Sequence, residues 1–392
     1  MSDPTVDVES KSQPPQKSVR LAGLDMLPET DRGKDMDATT SPAERLESLT
    51  LKSGWFIEKL LVKPKGATGG NFGVSYSASK DGNPAFVKAI DFRRAFGETN
   101  FIEVLNALTS AVLWERDLMK FCKDEAMSRV VTLLDYEDLV LTEDQGDHSK
   151  KVCCFVFEIG KGDLRANFDF GQSPKHSWRL MVLRDVALGL DQLHRRGIAH
   201  LDVKPSNVIA LADSLSRAHV MKLGDLGRSV RKGFNGPFDG LCWPGDRGYA
   251  PPEKWYGYTS SQWQDEREAA DLYQLGGLLV FLYTGVPLNS LIRAELPEQF
   301  TPGIYRGGFT PELVDVLKQS IGKVLALHVF PSLPPQVSEE LRAMLVDMTQ
   351  PDPSQRGDRA ARKQGVVGID RFHQKLYRLA KRMEIEERRV AA

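Results

Sequence analysis

Three polar residues on one short run raise the chemical question. In His200-Leu201-Asp202-Val203-Lys204-Pro205-Ser206-Asn207 a carboxylate, an ammonium and an amide follow one another within a single loop's length. A second carboxylate comes later, in Lys222-Leu223-Gly224-Asp225-Leu226-Gly227, at the end of an apolar run and between two glycines. Phosphoryl transfer from ATP needs such a set. One carboxylate must orient an attacking hydroxyl and take its proton. One ammonium must neutralise charge on the γ-phosphate. An amide oxygen and another carboxylate must hold magnesium. Each piece alone is common in surface loops and turns; the ordered pair, with apolar residues flanking both, is specific.

These two stretches closely resemble the catalytic loop and the metal-binding loop of eukaryotic-type serine/threonine protein kinases. The resemblance implies Asp202 as the base, Lys204 as the group that steadies the transferring phosphate, and Asn207 and Asp225 as magnesium ligands. It implies ATP and Mg2+ as cofactors and a protein as substrate. It also implies an α+β, bilobal protein kinase fold, with an antiparallel-sheet small lobe of five strands and a mainly helical large lobe.

Those side chains need elements to hold them. Gly66-Ala67-Thr68-Gly69-Gly70-Asn71-Phe72-Gly73-Val74-Ser75 is a glycine-rich turn, where backbone N–H groups can approach phosphate oxygens with no Cβ in the way. Gly69, Gly70, Phe72 and Gly73 are the candidate nucleotide contacts. Against the family's pattern, Thr68 stands in place of the first glycine and Ser75 in place of a valine. Ala85-Phe86-Val87-Lys88-Ala89-Ile90 alternates like a strand. Lys88 lies among apolar neighbours, where an ammonium must find partners. By resemblance these are the α- and β-phosphates and a helix glutamate. Glu103 and Glu115 both sit in helical pattern, and the family's usual interval to the next strand favours Glu115, with Arg93 to Leu108 as an enlarged approach to that helix. Cys153-Cys154-Phe155-Val156-Phe157-Glu158-Ile159-Gly160 reads as a buried strand running into a linker. By resemblance Phe157 closes the back of the adenine pocket, and the backbone of Glu158 to Gly160 binds the base.

The large lobe opens on a helical stripe of Leu183, Val186, Ala187, Leu190 and Leu193, stopped by Gly197. A nearly all-apolar stretch, Ala269 to Phe281, predicts a central helix. The family's arginine before the catalytic aspartate is Leu201 here, and a leucine cannot receive a phosphate. Between Arg228 and Tyr249 the only hydroxyl is that of Ser229. Both features predict a catalytic centre that needs no phosphorylation of this segment. Asp246 replaces the family's threonine and could pair with Lys204. Glu253 and Arg356 match the family's structural ion pair, and Asp271 its anchor for the catalytic loop.

Composition sets limits. The chain has 392 residues, 41% hydrophobic and 27% charged, with a net charge of -1. Such a balance gives no basic footprint for nucleic acid. The most apolar stretch, Leu275 to Tyr283, is too short to span a membrane, so no membrane partner is expected. Cys122, Cys153, Cys154 and Cys242 form neither a disulfide framework nor a zinc pattern, and no signal peptide follows Met1, which together predict a cytoplasmic protein. By texture, residues 1–48 are a disordered tail able to dock a partner, 49–160 the small lobe, 161–360 the large lobe, and 361–392 a helical extension. Two other functions remain open: an ATP-binding scaffold without turnover, and a small-molecule phosphotransferase of related fold.

Overall fold

The structure is a computed structural model, and it describes residues 41–62, 73–141, 150–166, 174–212 and 219–391. The small lobe is a five-stranded antiparallel sheet in the order β1-β2-β3-β5-β4. Its strands are β1 (Phe56–Leu60), β2 (Val74–Lys80), β3 (Asn83–Asp91), β4 (Leu133–Val140) and β5 (Lys151–Glu158). Alternation decides what each face does. In β3, Ala85, Val87 and Ala89 are buried on one side, with Tyr76, Ala78 and Ile57 in the same core. Phe86 and Lys88 therefore face the other way. Register fixes Lys88 opposite Ser75 in β2 and opposite Phe155 in β5.

Of the stretch expected as a tail over 1–48, the part from residue 41 is packed, and residues 1–40 lie outside the described residues. Residues 42–44 form a 3-10 turn whose Ala43, with Leu46, is buried against the sheet. Ser41 and the backbone of Ala43 bond to Asp91 at the end of β3. A polar, proline-broken stretch hides this packing because two small apolar contacts are enough to seat a turn.

Helix α1 (Arg93–Phe96) leads to α2 (Phe101–Asp124). The enlarged approach expected over 93–108 is thus mostly helix, since residues 101–108 are the first turns of α2 itself. Its buried stripe of Leu108, Val112, Glu115, Met119 and Cys122 keeps the three- and four-residue spacing of a packed helix face.

The large lobe is mainly helical, completing the two-lobed α+β arrangement expected from the sequence. Helix α3 (His176–His194) precedes four short strands: β6 (Ile198–Ala199), β7 (Val208–Ala212), β8 (His219–Leu223) and β9 (Val230–Arg231). β7 pairs with β8 and β6 with β9. Then come α4 (Pro252–Trp255), α5 (Ala269–Thr284), α6 (Leu288–Glu295), α7 (Pro311–Val324), α8 (Ser338–Met348), α9 (Arg359–Arg362) and α10 (Ile369–Ala391). Every residue of α5 but its last is buried, and Gly285 ends it in the left-handed conformation, φ 75°. α10 lays Phe372, Leu376 and Leu379 into the core beside α3. Among the described residues no single helix is long and apolar enough to cross a membrane.

Candidate active site

A cleft of about 330 Å³ lies between the lobes, lined by Gly73, Lys88, Phe157, Asn207 and Asp225 among others. Lys88 reaches into it from β3. Its Nζ donates to Glu115 Oε1 at 2.8 Å and Oε2 at 3.0 Å, and lies 3.4 Å from Asp225 Oδ1. Burial alone would push the ammonium towards neutrality, but Asp225 and Glu115 together raise its pKa above the ordinary lysine value. Lys88 in turn is the main reason the Asp225 carboxyl is held below its usual range, against its burial. Glu103 sits exposed in the first turn of α2, remote from this pair in sequence and burial.

The run from His200 to Asn207 is shaped by α5. Asp271, at the start of that helix, accepts His200 N–H at 2.8 Å and Leu201 N–H at 2.7 Å, and its Oδ2 lies 2.8 Å from His194 Nε2. Gln274, one turn on, accepts Val203 N–H at 3.0 Å. These bonds hold Leu201 at φ 60°, a backbone state costly for a branched side chain. Asp225 is held likewise at φ 59°.

The loop thereby gathers its polar side chains. Lys204 Nζ lies 3.0 Å from Asp202 Oδ2 and 3.3 Å from Asp246 Oδ2. Asn207 Nδ2 donates to the Asp202 backbone carbonyl at 2.8 Å and to its Oδ2 at 3.0 Å. That use of the amide nitrogen turns the Asn207 oxygen over to the cleft it lines. Burial lifts the Asp202 carboxyl above its ordinary pKa, with Lys204 opposing. Lys204 is also raised: burial would lower it, but Asp202 and Asp246 outweigh that. Asp246 thus pairs with Lys204, and its backbone N–H donates to Asp202 Oδ1 at 2.8 Å.

At the rear, Phe157 is 7% exposed, its ring stacked 6.0 Å from Phe155. Glu158 lines the cleft as well. Its N–H donates to Thr132 O at 3.1 Å, and its carboxylate accepts from Lys222 Nζ at 2.6 Å. The backbone beyond it is fastened to β7: Lys161 N–H donates to Ala210 O at 2.7 Å and Ala210 N–H to Gly162 O at 3.0 Å. Gly160 is pressed under β7, where a Cβ would meet Ile209 Cγ2 at 2.3 Å. Gly73 lines the cleft mouth; Gly69, Gly70 and Phe72 lie outside the described residues.

Magnesium fits the residues present. Among the described residues no group of three or more His, Cys, Asp or Glu could enclose an ion. Asp225 and the Asn207 oxygen instead offer two oxygen donors on one wall of the cleft, which suits a cation that takes its remaining ligands from phosphate and water.

Several residues that shape the site carried no signal as site residues in the sequence. Arg165 lines the cleft with its Nη2 2.6 Å from Asp163 Oδ2. Gly245 lies so close to the catalytic loop that a Cβ would meet Leu201 O at 2.0 Å and Asp202 Oδ1 at 3.2 Å. Gly245→Ala should therefore push the loop aside. We expect kcat to fall at least tenfold, alongside a stability loss of about 1–3 kcal/mol typical of overpacking. Steady-state kinetics and a urea midpoint check both, and an unchanged kcat would refute the close approach.

The geometry agrees with comparison to known proteins. The model of the protein kinase domain family matches residues 68–363. The serine/threonine-protein kinase/endoribonuclease IRE1a of Arabidopsis thaliana is 26% identical over 249 residues, 58% of this chain and 28% of that one. The Wee1-like protein kinase of Oryza sativa subsp. japonica is 32% identical over 126 residues, 32% of this chain and 21% of that one. The serine/threonine-protein kinase PTK1/STK1 of Saccharomyces cerevisiae is 31% identical over 149 residues, covering 34% and 21%. The chain spans less than a third of the length of each of these relatives.

Proposed function

Because the chain belongs to the protein kinase domain family, we propose that it is an enzyme that moves the γ-phosphate of ATP to Ser or Thr hydroxyls of proteins. The observation that carries this is the joined set of Lys88, Glu115 and Asp225 in one cleft with Asn207, which is bonded to Asp202, itself paired with Lys204. A scaffold without turnover has no need of a buried carboxylate beside an ammonium at the mouth of a magnesium site.

The roles follow from position. Lys88, fixed by Glu115, draws the α- and β-phosphates. Asp225 and Asn207 would hold magnesium, which would supply positive charge to offset that of the phosphates. Asp202 orients the substrate hydroxyl and accepts its proton as the new O–P bond forms. The bond from the γ-phosphorus to the bridging oxygen breaks, and ADP leaves with that oxygen. A carboxylate raised above its ordinary pKa is a stronger base than an exposed one, and Lys204 beside it favours the ionised form. Lys204 also neutralises the transferring group. Asp163, Gly162 and Ile209 line the same cleft.

We further propose that activity does not require phosphate on the activation segment. Ser229 is fully buried, with its hydroxyl donating to His200 O at 3.3 Å. Leu201 is fully buried among apolar residues. Protein treated with phosphatase and then given magnesium, labelled ATP and a generic protein substrate should incorporate label linearly from time zero. A lag that pre-incubation with ATP removes, tracking with phosphate on Ser229 or Tyr249, would falsify this. No incorporation into protein, with label on small alcohols instead, would favour the small-molecule reading. Partner docking is proposed for the tail, residues 1–40 of which lie outside the described residues. Four free thiols support a reducing, cytoplasmic setting.

A further inference from the structure

The activation segment is fastened to α2 by contacts that no phosphate makes. Trp114 precedes Glu115, and its indole Nε1 donates to Ser229 O at 2.8 Å. Ser229 is bonded on to the metal loop through its N–H to Leu226 O at 3.0 Å. Further along, the segment's backbone lies against the same indole: a Cβ on Gly236 would meet Trp114 Cζ2 at 2.8 Å. Two turns along α2, the Arg231 guanidinium sits 3.8 Å from the Phe121 ring centroid and 4.2 Å from that of Phe234. Below these contacts Leu201, Val230, Phe238 and Trp243 form a buried apolar cluster, with Trp114 packed on its edge. Trp243 Nε1 donates to Asp246 O at 3.2 Å, so the cluster reaches the residue that pairs with Lys204.

We propose that Trp114 is a positioning residue that couples α2 to the activation segment, keeping Glu115 on Lys88 and the segment in its working place without phosphorylation. The proposal rests on the kinase reading of the cleft and names the device that replaces a phosphate there. A phosphate anchor ties a segment down through charge. Here the same span is held by one indole hydrogen bond, a cation over an aromatic face, and an apolar cluster that excludes water. The two elements then order or loosen together, because the indole belongs to one and its acceptor to the other.

The test uses the full chain, phosphatase-treated, with Trp114→Phe, Gly236→Ala and the double variant. Trp114→Phe keeps a ring but removes the N–H donor and the outer atoms that touch Gly236. It should lower kcat about fivefold or more, the loss of one ordinary hydrogen bond, with KM for protein substrate unchanged. Hydrogen exchange should quicken in both 101–124 and 229–241. Gly236→Ala should lower kcat when made in the wild type and do so less when made in the Trp114→Phe variant, because the smaller ring removes the clash. Wild-type kcat and exchange in Trp114→Phe, or equal effects of Gly236→Ala in both backgrounds, would overturn the proposal. Should the wild type transfer no phosphate at all, the kinase reading fails. The exchange data and the stability of the four proteins then still decide the coupling: joint loosening and non-additivity support it, and independence of the two segments overturns it.

Discussion

Asp202→Asn should abolish phosphoryl transfer while leaving the fold and nucleotide binding in place. The amide keeps the shape of the carboxylate, but its single oxygen can accept from only one of the Asp246 N–H and the Asn207 amide, which now meet two separate oxygens. It cannot accept the hydroxyl proton, and it no longer pairs with Lys204, which sits 3.0 Å from Oδ2. General base catalysis accounts for roughly 10²–10⁴-fold in rate, and we expect a loss in that range. Relief of a desolvated charge offsets part of the lost pairing, so the stability loss should stay within about 1–3 kcal/mol. Single-turnover rates, together with a magnesium–ATP binding titration, check both halves. A rate within threefold of wild type would show that another group takes the proton.

Breaking the Glu253–Arg356 pair should have the largest effect on stability. Both residues are 0% exposed. Arg356 Nη1 and Nη2 meet Glu253 Oε1 and Oε2 at 2.9 and 2.7 Å. Its other donors go to the carbonyls of Gln350, Ala269 and Pro351, and its guanidinium lies 5.1 Å from the Tyr273 ring centroid. Arg356→Ala would strand a buried carboxylate and three carbonyls, at a cost of about 3–5 kcal/mol. The double variant Glu253→Gln with Arg356→Met leaves no stranded charge and should cost less than the two single changes added together. Urea denaturation of Arg356→Ala, Glu253→Gln, Arg356→Met and the double variant measures this. Additive losses would mean that the pair does not interact.

What the sequence made legible was local. Asp202, Lys204 and Asn207 fall on one loop, so their types and spacing are visible without any fold. Lys88 stands out because an ammonium interrupts an apolar strand. The central helix α5 is readable because it is apolar on all sides. What stayed hidden depends on contacts between distant parts of the chain. Trp114 and Ser229 are 115 positions apart, and nothing near either announces the other. Gly245 and Gly160 look like ordinary turn glycines until Leu201 and Ile209 are brought against them. Asp271 was legible through the family resemblance, but Gln274, which also holds the catalytic loop, sits in a helix whose apolar composition draws attention away from it. The length of α2 was missed because its first turns bury little, so periodicity there is weak.

The zipper between the linker and β7 has a mechanical consequence. With Lys161 and Gly162 hydrogen-bonded to Ala210 and Gly160 wedged under Ile209, the chain beyond Gly160 moves with the large lobe. Rotation of one lobe against the other is then taken up by the few dihedral angles between Glu158 and Gly160 and at the contact of Arg129 and Val131 with Leu223. The axis of that rotation runs beside the end of β5. Strands in the order β1-β2-β3-β5-β4 are spaced by roughly 4.8 Å each, so β3 with Lys88 lies one strand from the axis, β2 two and β1 three. A given swing therefore moves β1 and β2 farther than it moves Lys88, so the ammonium travels the shorter arc past Asp225 and the charged centre is reset by the smaller motion.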